Sequence, residues 1–314
     1  MKSKMWAYHV GLTSEQPRDF DVNDGGKCLK RTLKNFDKAV WDDTLDIMVK
    51  NKSINTVVIA VRDAVVYEKH PEIALKDAWT KKELYDEVER LRSMGLKVYP
   101  LVNFSACHNH WMGVYSRAVS THWYYSFCQD VIDEISEVFS NPELIHLGMD
   151  EECQSTQEES DMCIIRNSEL YWHDMNHLFN LVEKKGARPW IWADYVWHSK
   201  KREEDFLKNM SKDALLSNWY YQRFTEPESD WHYRAYKAFE LLDKHGFEQV
   251  PAGSNFVHRD NFELVADYCT KHLSDENLKG FMMASWKGMV EKERDRNIES
   301  AHVISEVYSK YCNK

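Results

Sequence analysis

Short apolar runs recur along the chain, and stretches with helical periodicity separate them. The runs are "MWAYHVGL" (5–12), "INTVVIAV" (54–61), "LKVYPLVNF" (96–104), "LIHLGMD" (144–150), "RPWIWAD" (188–194), "ALLSNWYY" (214–221), "EQVPAGSN" (248–255) and "GFMMASW" (280–286). Each has the length of a strand and is apolar at consecutive positions, as a strand of a buried sheet is. Between the second and third, "TKKELYDEVERLRSMG" opens with a capping box, Thr80 and Glu83. It sets Leu84, Val88 and Leu91 on one face and ends at Gly95, a C′ residue. Phe127, Val131, Ile135 and Val138 keep the same spacing, as do Leu170, Leu178 and Val182 ahead of Gly186. Residues 232–247, 261–273 and 299–312 continue it. Twice the order is helix, glycine, a few residues, strand, which predicts parallel βα units. Eight such units predict a single-domain (β/α)8 TIM barrel spanning 1–314, since a six-stranded doubly wound sheet would leave strands unused. The sixth and seventh runs are the least regular. The stretch 12–37 is a long first loop on the strand ends, where a barrel builds its site.

Bulk properties narrow the function classes. There are 51 acidic against 41 basic side chains, a net charge of −10, and no basic block, so phosphate backbones and anionic membranes are repelled. No apolar run approaches the roughly 18 residues that span a bilayer, and the N-terminus lacks the h-region of a signal peptide. Seven cysteines, scattered and without a CxxC pair, read as free thiols in a reducing compartment. A cytoplasmic location is therefore expected.

A barrel places its functional side chains at the C-terminal ends of its strands. In order those ends carry Tyr8 and His9; Arg62 and Asp63; Asn103, His108 and His110; and Asp150, Glu151 and Glu152. The later ends carry Trp192 and Asp194; Asn218, Trp219, Tyr220 and Tyr221; Ser254 and Asn255; and Trp286 and Lys287. Indole and phenol rings stack on sugar faces and wall a pocket from water, although they also pack a barrel top against its loops. Adjacent acids in a partly apolar pocket cannot both ionise cheaply, which separates a proton donor from an anion and suits cleavage of an acetal. Three acids after a strand are also what a solvated loop or a helix N-cap looks like.

"HLGMDEE" (146–152) resembles the H-x-G-x-D-E signature of glycoside hydrolase family 20, the β-N-acetylhexosaminidases, a motif that ends the fourth strand of a (β/α)8 barrel. Residues 54–84 and 95–110 are similar to the family's second and third units, and "IWAD", "NWYY" and "ASW" resemble its later tryptophan-bearing strands. The resemblance implies that Glu151 is the general acid and base, and that Asp150 orients a 2-acetamido group and stabilises an oxazolinium ion. It implies supporting roles for His146, Asp63 and His108, a place for Asp194 in the binding site, and pocket walls from Trp192, Trp219 and Trp286. Tyr220 or Tyr221 would donate to the acetamido oxygen, and Glu152, without a role, is expected to be solvated. No cofactor and no metal are implied. The partner is an N-acetylhexosamine-containing glycan or glycoconjugate, with neither nucleic acid nor membrane, and a homodimer is left open.

The chain departs from the family pattern at three places. His9 stands where an Arg usually ends the first strand, Lys287 and Gly288 follow the last Trp where an acid is usual, and "P-G-H" appears as Ala106, Cys107 and His108. Two other readings remain open at this stage. The H-x-H of His108 and His110 suits a metal-dependent amidohydrolase or deacetylase on amino sugars. A non-catalytic barrel that binds an amino sugar would also carry the aromatic ends.

Overall fold

The structure, a computed structural model, describes residues 1–13, 34–155, 157, 163–224 and 229–312. Most of the long first loop, with Cys28, lies outside the described residues.

Eight strands, β1 (Met5–Gly11), β2 (Thr56–Ala60), β3 (Lys97–Leu101), β4 (Leu144–His146), β5 (Arg188–Trp192), β6 (Leu215–Ser217), β7 (Ala252–Gly253) and β8 (Gly280–Ala284), form one parallel sheet. Its order runs from β6 back through β1 to β8 and β7. The last join is made by isolated bridges, Leu216 with Gln249 and Trp219 with Ala252, so β6 meets β7 and the sheet becomes a barrel. The anticipated (β/α)8 architecture is the one observed, and the two runs marked as least regular are among the shortest strands.

Helices α1 (Lys38–Lys50), α2 (Lys81–Ser93), α3 (His122–Val138), α4 (Ser168–Glu183), α5 (Lys200–Asn209), α6 (Asp230–Lys244), α7 (Asn261–His272) and α8 (Arg294–Cys312) surround the sheet. The capping box of α2 is present: the Thr80 hydroxyl accepts from the Glu83 N–H, and the Glu83 carboxylate accepts from the Thr80 N–H at 2.7 Å. Gly95 and Gly186 end α2 and α4 in the left-handed region, at φ +83° and +76°. The hydrophobic pattern did not predict α5, because Phe206 is its sole buried residue. Its start was legible in another way, since Ser199 caps it by accepting from the Arg202 N–H at 3.2 Å.

Alternation along the strands fixes what faces the barrel axis. Ala7, Val58, Tyr99, Trp190, Leu215 and Met282 fill the interior. Two residues further along the same faces come His9, Leu101, Trp192 and Ala284. The period of two therefore carries polar and aromatic side chains to the C-terminal mouth while the layers below remain a packed core. A second, larger apolar layer lies between strands and helices, with Tyr8, Val57, Ile145, Ile191 and Met283 facing outward into it.

Candidate active site

The fourth strand ends in a turn whose backbone is held in unusual geometry. Gly148, Met149 and Glu151 have φ of +74°, +72° and +55°, so two side-chain-bearing residues flanking Asp150 occupy the left-handed region. That costs on the order of 1 kcal/mol or more per residue and persists when neighbours over-determine it. They do so here. His146 Nδ1 accepts from the Gly148 N–H at 3.0 Å, Asn103 Oδ1 accepts from the Met149 N–H at 3.3 Å, and Asp194 Oδ2 accepts from the Glu151 N–H at 2.8 Å. A Cβ on Gly148 would stand 2.1 Å from Asn103 Oδ1, which explains the glycine of the motif by contact as well as by φ.

The turn presents Asp150 and Glu151 to one imidazole. His108 Nε2 lies 3.1 Å from Asp150 Oδ2 and 3.3 Å from Glu151 Oε2. Burial opposes the imidazolium, but the Asp150 charge and the neighbouring Cys107 outweigh it and hold His108 well above the ordinary histidine range. Asn103 Nδ2 donates to the other Asp150 oxygen at 2.8 Å, and the Cys107 thiol approaches Glu151 Oε2 at 3.8 Å. Asp194 is fully buried beneath the turn, where burial and the Asp150 charge raise its pKa against the pull of His198, 3.1 Å away.

Above the acids, His9, Trp192, Trp219, Tyr220, Tyr221 and Trp286 line a cavity of about 440 Å³ together with Asp150, Glu151 and His108. Trp219 and Tyr221 stack with ring centroids 5.1 Å apart and planes 11° apart, while Trp286 sits 5.6 Å from Trp192 and 4.9 Å from His9. Among the described residues the buried indole nitrogens of Trp192 and Trp286 have no hydrogen-bond partner, an arrangement that leaves two donors at the wall of a polar cavity. Trp231, Phe256 and Val257 form an exposed apolar rim, and Lys287, Lys292 and Glu293 a charged one.

A family model described as glycosyl hydrolase family 20, catalytic domain, matches residues 98–300, nearly two thirds of the chain. The chain belongs to glycosyl hydrolase family 20. Among solved structures, it is similar to the family 20 exo-β-N-acetylglucosaminidase of Vibrio harveyi in complex with N-acetylglucosamine, at 15% identity and a TM-score of 0.59, over 95% of this chain and 54% of that one. Flavobacterium johnsoniae chitobiase gives 15% and 0.64 over 96% and 50%, and dispersin B 15% and 0.58 over 96% and 98%. The chain thus spans about half the length of the first two and nearly all of the third. At that identity the likeness speaks for the shared fold alone. No curated protein matches the sequence.

Against this family 20 frame, the residues singled out from sequence fall into three places. Asp150, Glu151, His108, Trp192, Trp219, Tyr220, Tyr221 and Trp286 meet at the cavity. Asp194 and His146 lie beneath it and act on the backbone of the turn, with the His146 ring packed between Trp190 and Trp192 at 5.0 and 4.7 Å. Arg62 and Asp63 are buried in a 3-10 turn after β2 and do not line the cavity, and neither does His110.

The expectation for Glu152 is corrected. It is 1% exposed, ion-paired with the fully buried Arg166, and accepts the Ala106 N–H at 2.7 Å. A third acid at a strand end can be structural when a buried cation meets it, and Arg166 lies in an aperiodic loop where no pattern announces it. Arg166 also donates to Asp174 Oδ2 at 3.0 Å, to the Tyr124 hydroxyl at 3.2 Å and to the Phe104 carbonyl at 2.9 Å. Sequence reasoning likewise passed over three rim residues: Trp231 in the first turn of α6, Phe256 in the loop after β7, and Glu293 in a 3-10 turn before α8.

Proposed function

We propose that this family 20 chain is a glycoside hydrolase that removes a β-linked N-acetylhexosamine by substrate-assisted, retaining catalysis. One observation carries the reading: Asp150 and Glu151 stand side by side on an aromatic-walled cavity at the C-terminal mouth of the barrel. Glu151 protonates the leaving oxygen as the acetamido carbonyl oxygen of the substrate attacks the anomeric carbon, and an oxazolinium ion forms. Asp150 accepts the acetamido N–H and offsets the positive charge. Water, deprotonated by Glu151, then attacks the anomeric carbon, the oxazolinium ring opens to give back the acetamido group, and Glu151 regains its proton, so the protein supplies no covalent nucleophile. The His108 imidazolium lies between the two acids and tempers their mutual repulsion.

The aromatic residues hold the sugar and keep water from the oxazolinium ion. Tyr221 is the acetamido donor in this reading, because its ring shares the Trp219 face, whereas the Tyr220 hydroxyl bonds His232 at 3.0 Å. Glu293, 3.9 Å from Lys287, takes the place of the acid usual after the last-strand Trp and grips sugar hydroxyls with His9. The N-acetylhexosamine-containing glycan is the expected partner. Among the described residues Cys128, Cys163, Cys269 and Cys312 are free thiols, which supports a reducing compartment such as the cytoplasm. Among the described residues no helix is long and apolar enough to cross a membrane.

The test is hydrolysis of chromogenic β-GlcNAc and β-GalNAc glycosides by the wild type, Glu151→Gln and Asp150→Asn, with a thiazoline mimic of the oxazolinium ion as inhibitor. Loss of about 10²–10⁴-fold in kcat for Glu151→Gln is expected. Activity that survives Glu151→Gln, or that a chelator abolishes, overturns the mechanism. Binding of amino sugars without turnover of any glycoside would favour the non-catalytic barrel instead.

A further inference from the structure

Cys107 has no part in the chemistry above, yet its sulfur belongs to a compact group of ligand atoms. Cys107 Sγ lies 3.8 Å and His108 Nε2 3.3 Å from the same oxygen, Glu151 Oε2, and one ligand atom from each of the three residues falls within 4.8 Å of the other two. Zinc takes this mixture of thiolate, imidazole and carboxylate, with bonds of about 2.0 Å to nitrogen and oxygen and about 2.3 Å to sulfur. Tetrahedral angles then separate nitrogen from oxygen by about 3.3 Å and sulfur from oxygen by about 3.5 Å. The two spacings to Glu151 Oε2 are within a few tenths of an ångström of those edges.

We propose that Cys107, His108 and Glu151 form a binding site for Zn²⁺ or a similar thiophilic divalent cation, and that an ion there switches the hydrolase off. The second half rests on the reading in which Glu151 carries the proton. His108 and Glu151 line the cavity, so the ion enters from solvent and keeps a fourth position for water. Asp150, beside His108, adds negative charge to the surroundings of the ion. On binding, the ion takes the place of the proton on His108 Nε2 and of the thiol proton, and both protons pass to solvent. The Glu151 carboxylate, once bound to the ion through Oε2, has its basicity lowered by the cation's charge and no longer holds the proton for the leaving group.

Equilibrium dialysis of the metal-stripped protein against zinc chloride, and titration with cobalt chloride followed by absorption, decide the site without any turnover. The wild type is expected to take up one equivalent and to show a thiolate-to-Co²⁺ charge-transfer band. Cys107→Ala and Cys107→Ser should lose that band and bind Zn²⁺ at least about tenfold more weakly, with circular dichroism checking that each variant is folded. In hydrolysis assays Zn²⁺ should inhibit the wild type reversibly, a chelator should restore the rate, and each Cys107 variant, compared with its own metal-free rate, should require correspondingly more Zn²⁺. No uptake by the wild type, or a charge-transfer band that persists in Cys107→Ala, refutes the site. One equivalent bound with full activity refutes the switch. If no glycoside is hydrolysed at all, the dialysis and the spectrum still answer for the site while the proposed activity fails alone.

Discussion

The carboxylate of Asp194 accepts the backbone N–H of Glu151 at 2.8 Å, and so pins a residue whose φ of +55° its own side chain disfavours. His198 holds the same oxygen from the other side at 3.1 Å. The position of the Glu151 carboxyl group is thus set from below, by a residue that does not face the cavity.

Asp194→Ala is expected to lower kcat on the order of 100-fold with little change in KM, because a displaced acid loses alignment while the cavity walls stay. Asp194→Asn, whose amide oxygen still accepts the N–H, should recover much of the loss. Steady-state kinetics of the two variants check this. Equal loss in both would mean that the negative charge of Asp194, rather than its hydrogen bond, is what matters.

Gly148→Ala should cripple the site through its clash with one residue, Asn103. The new methyl group meets Asn103 Oδ1 at 2.1 Å and sits on backbone at φ +74°. Asn103 also donates to Asp150, so the clash moves that acid. We expect a loss of activity together with about 1–3 kcal/mol of stability. Gly148→Ala combined with Asn103→Ala should regain only part of the stability, because the Cα of residue 103 still stands 2.8 Å from the new methyl group, and should regain no activity, as read by urea unfolding and the glycoside assay.

Arg166 neutralises two buried carboxylates, Glu152 and Asp174. Arg166→Met leaves both uncompensated and should cost about 3–5 kcal/mol in urea unfolding. Adding Glu152→Gln and Asp174→Asn to it should restore a large part. Burial alone would raise the Asp174 pKa, but Arg166 and hydrogen bonds from Ser120 and Tyr125 outweigh it and hold the carboxyl below its usual range. Its stabilisation is therefore present above about pH 4, the unfolded value, and is lost as pH falls through the lower folded value. The stability gap between wild type and Asp174→Asn should narrow on acidification below pH 4, which thermal melts across pH will show.

Tyr221→Phe should reduce kcat/KM by about 100-fold if its hydroxyl serves the acetamido oxygen. Tyr220→Phe, which loses the bond to His232, should act mainly on stability. Side-by-side kinetics separate the pair, and an effect of Tyr220→Phe on kcat/KM as large as that of Tyr221→Phe would reverse the assignment.

Much of this arrangement was readable beforehand, for identifiable reasons. The eight strands show in the sequence because strands covered on both faces must be apolar throughout, and α2 shows because its cap and its stripe agree. Helix α5 does not, since one buried phenylalanine makes no stripe. At the fourth strand end, "HLGMDEE" placed Asp150 and Glu151 at the mouth because local order fixes a strand end. The fate of Glu152 depended on Arg166, fourteen residues on in a loop, and no local pattern carries such a pairing. Asp194 likewise looks like a cavity residue in one dimension, and its burial beneath the turn follows only from the tertiary arrangement.

The join between β6 and β7 is stitched by isolated bridges rather than by a continuous ladder, and Trp219 and Tyr221 hang from its β6 side. A hoop opens first where it is most lightly laced. A sugar ring seated against Trp219 on one side and Trp286 on the other would reach from that seam to the firmly laced strands, and so would act as a clasp for the cylinder. The amides of Leu216, Val250 and Ala252, which cross the seam, would be the ones to feel the clasp close.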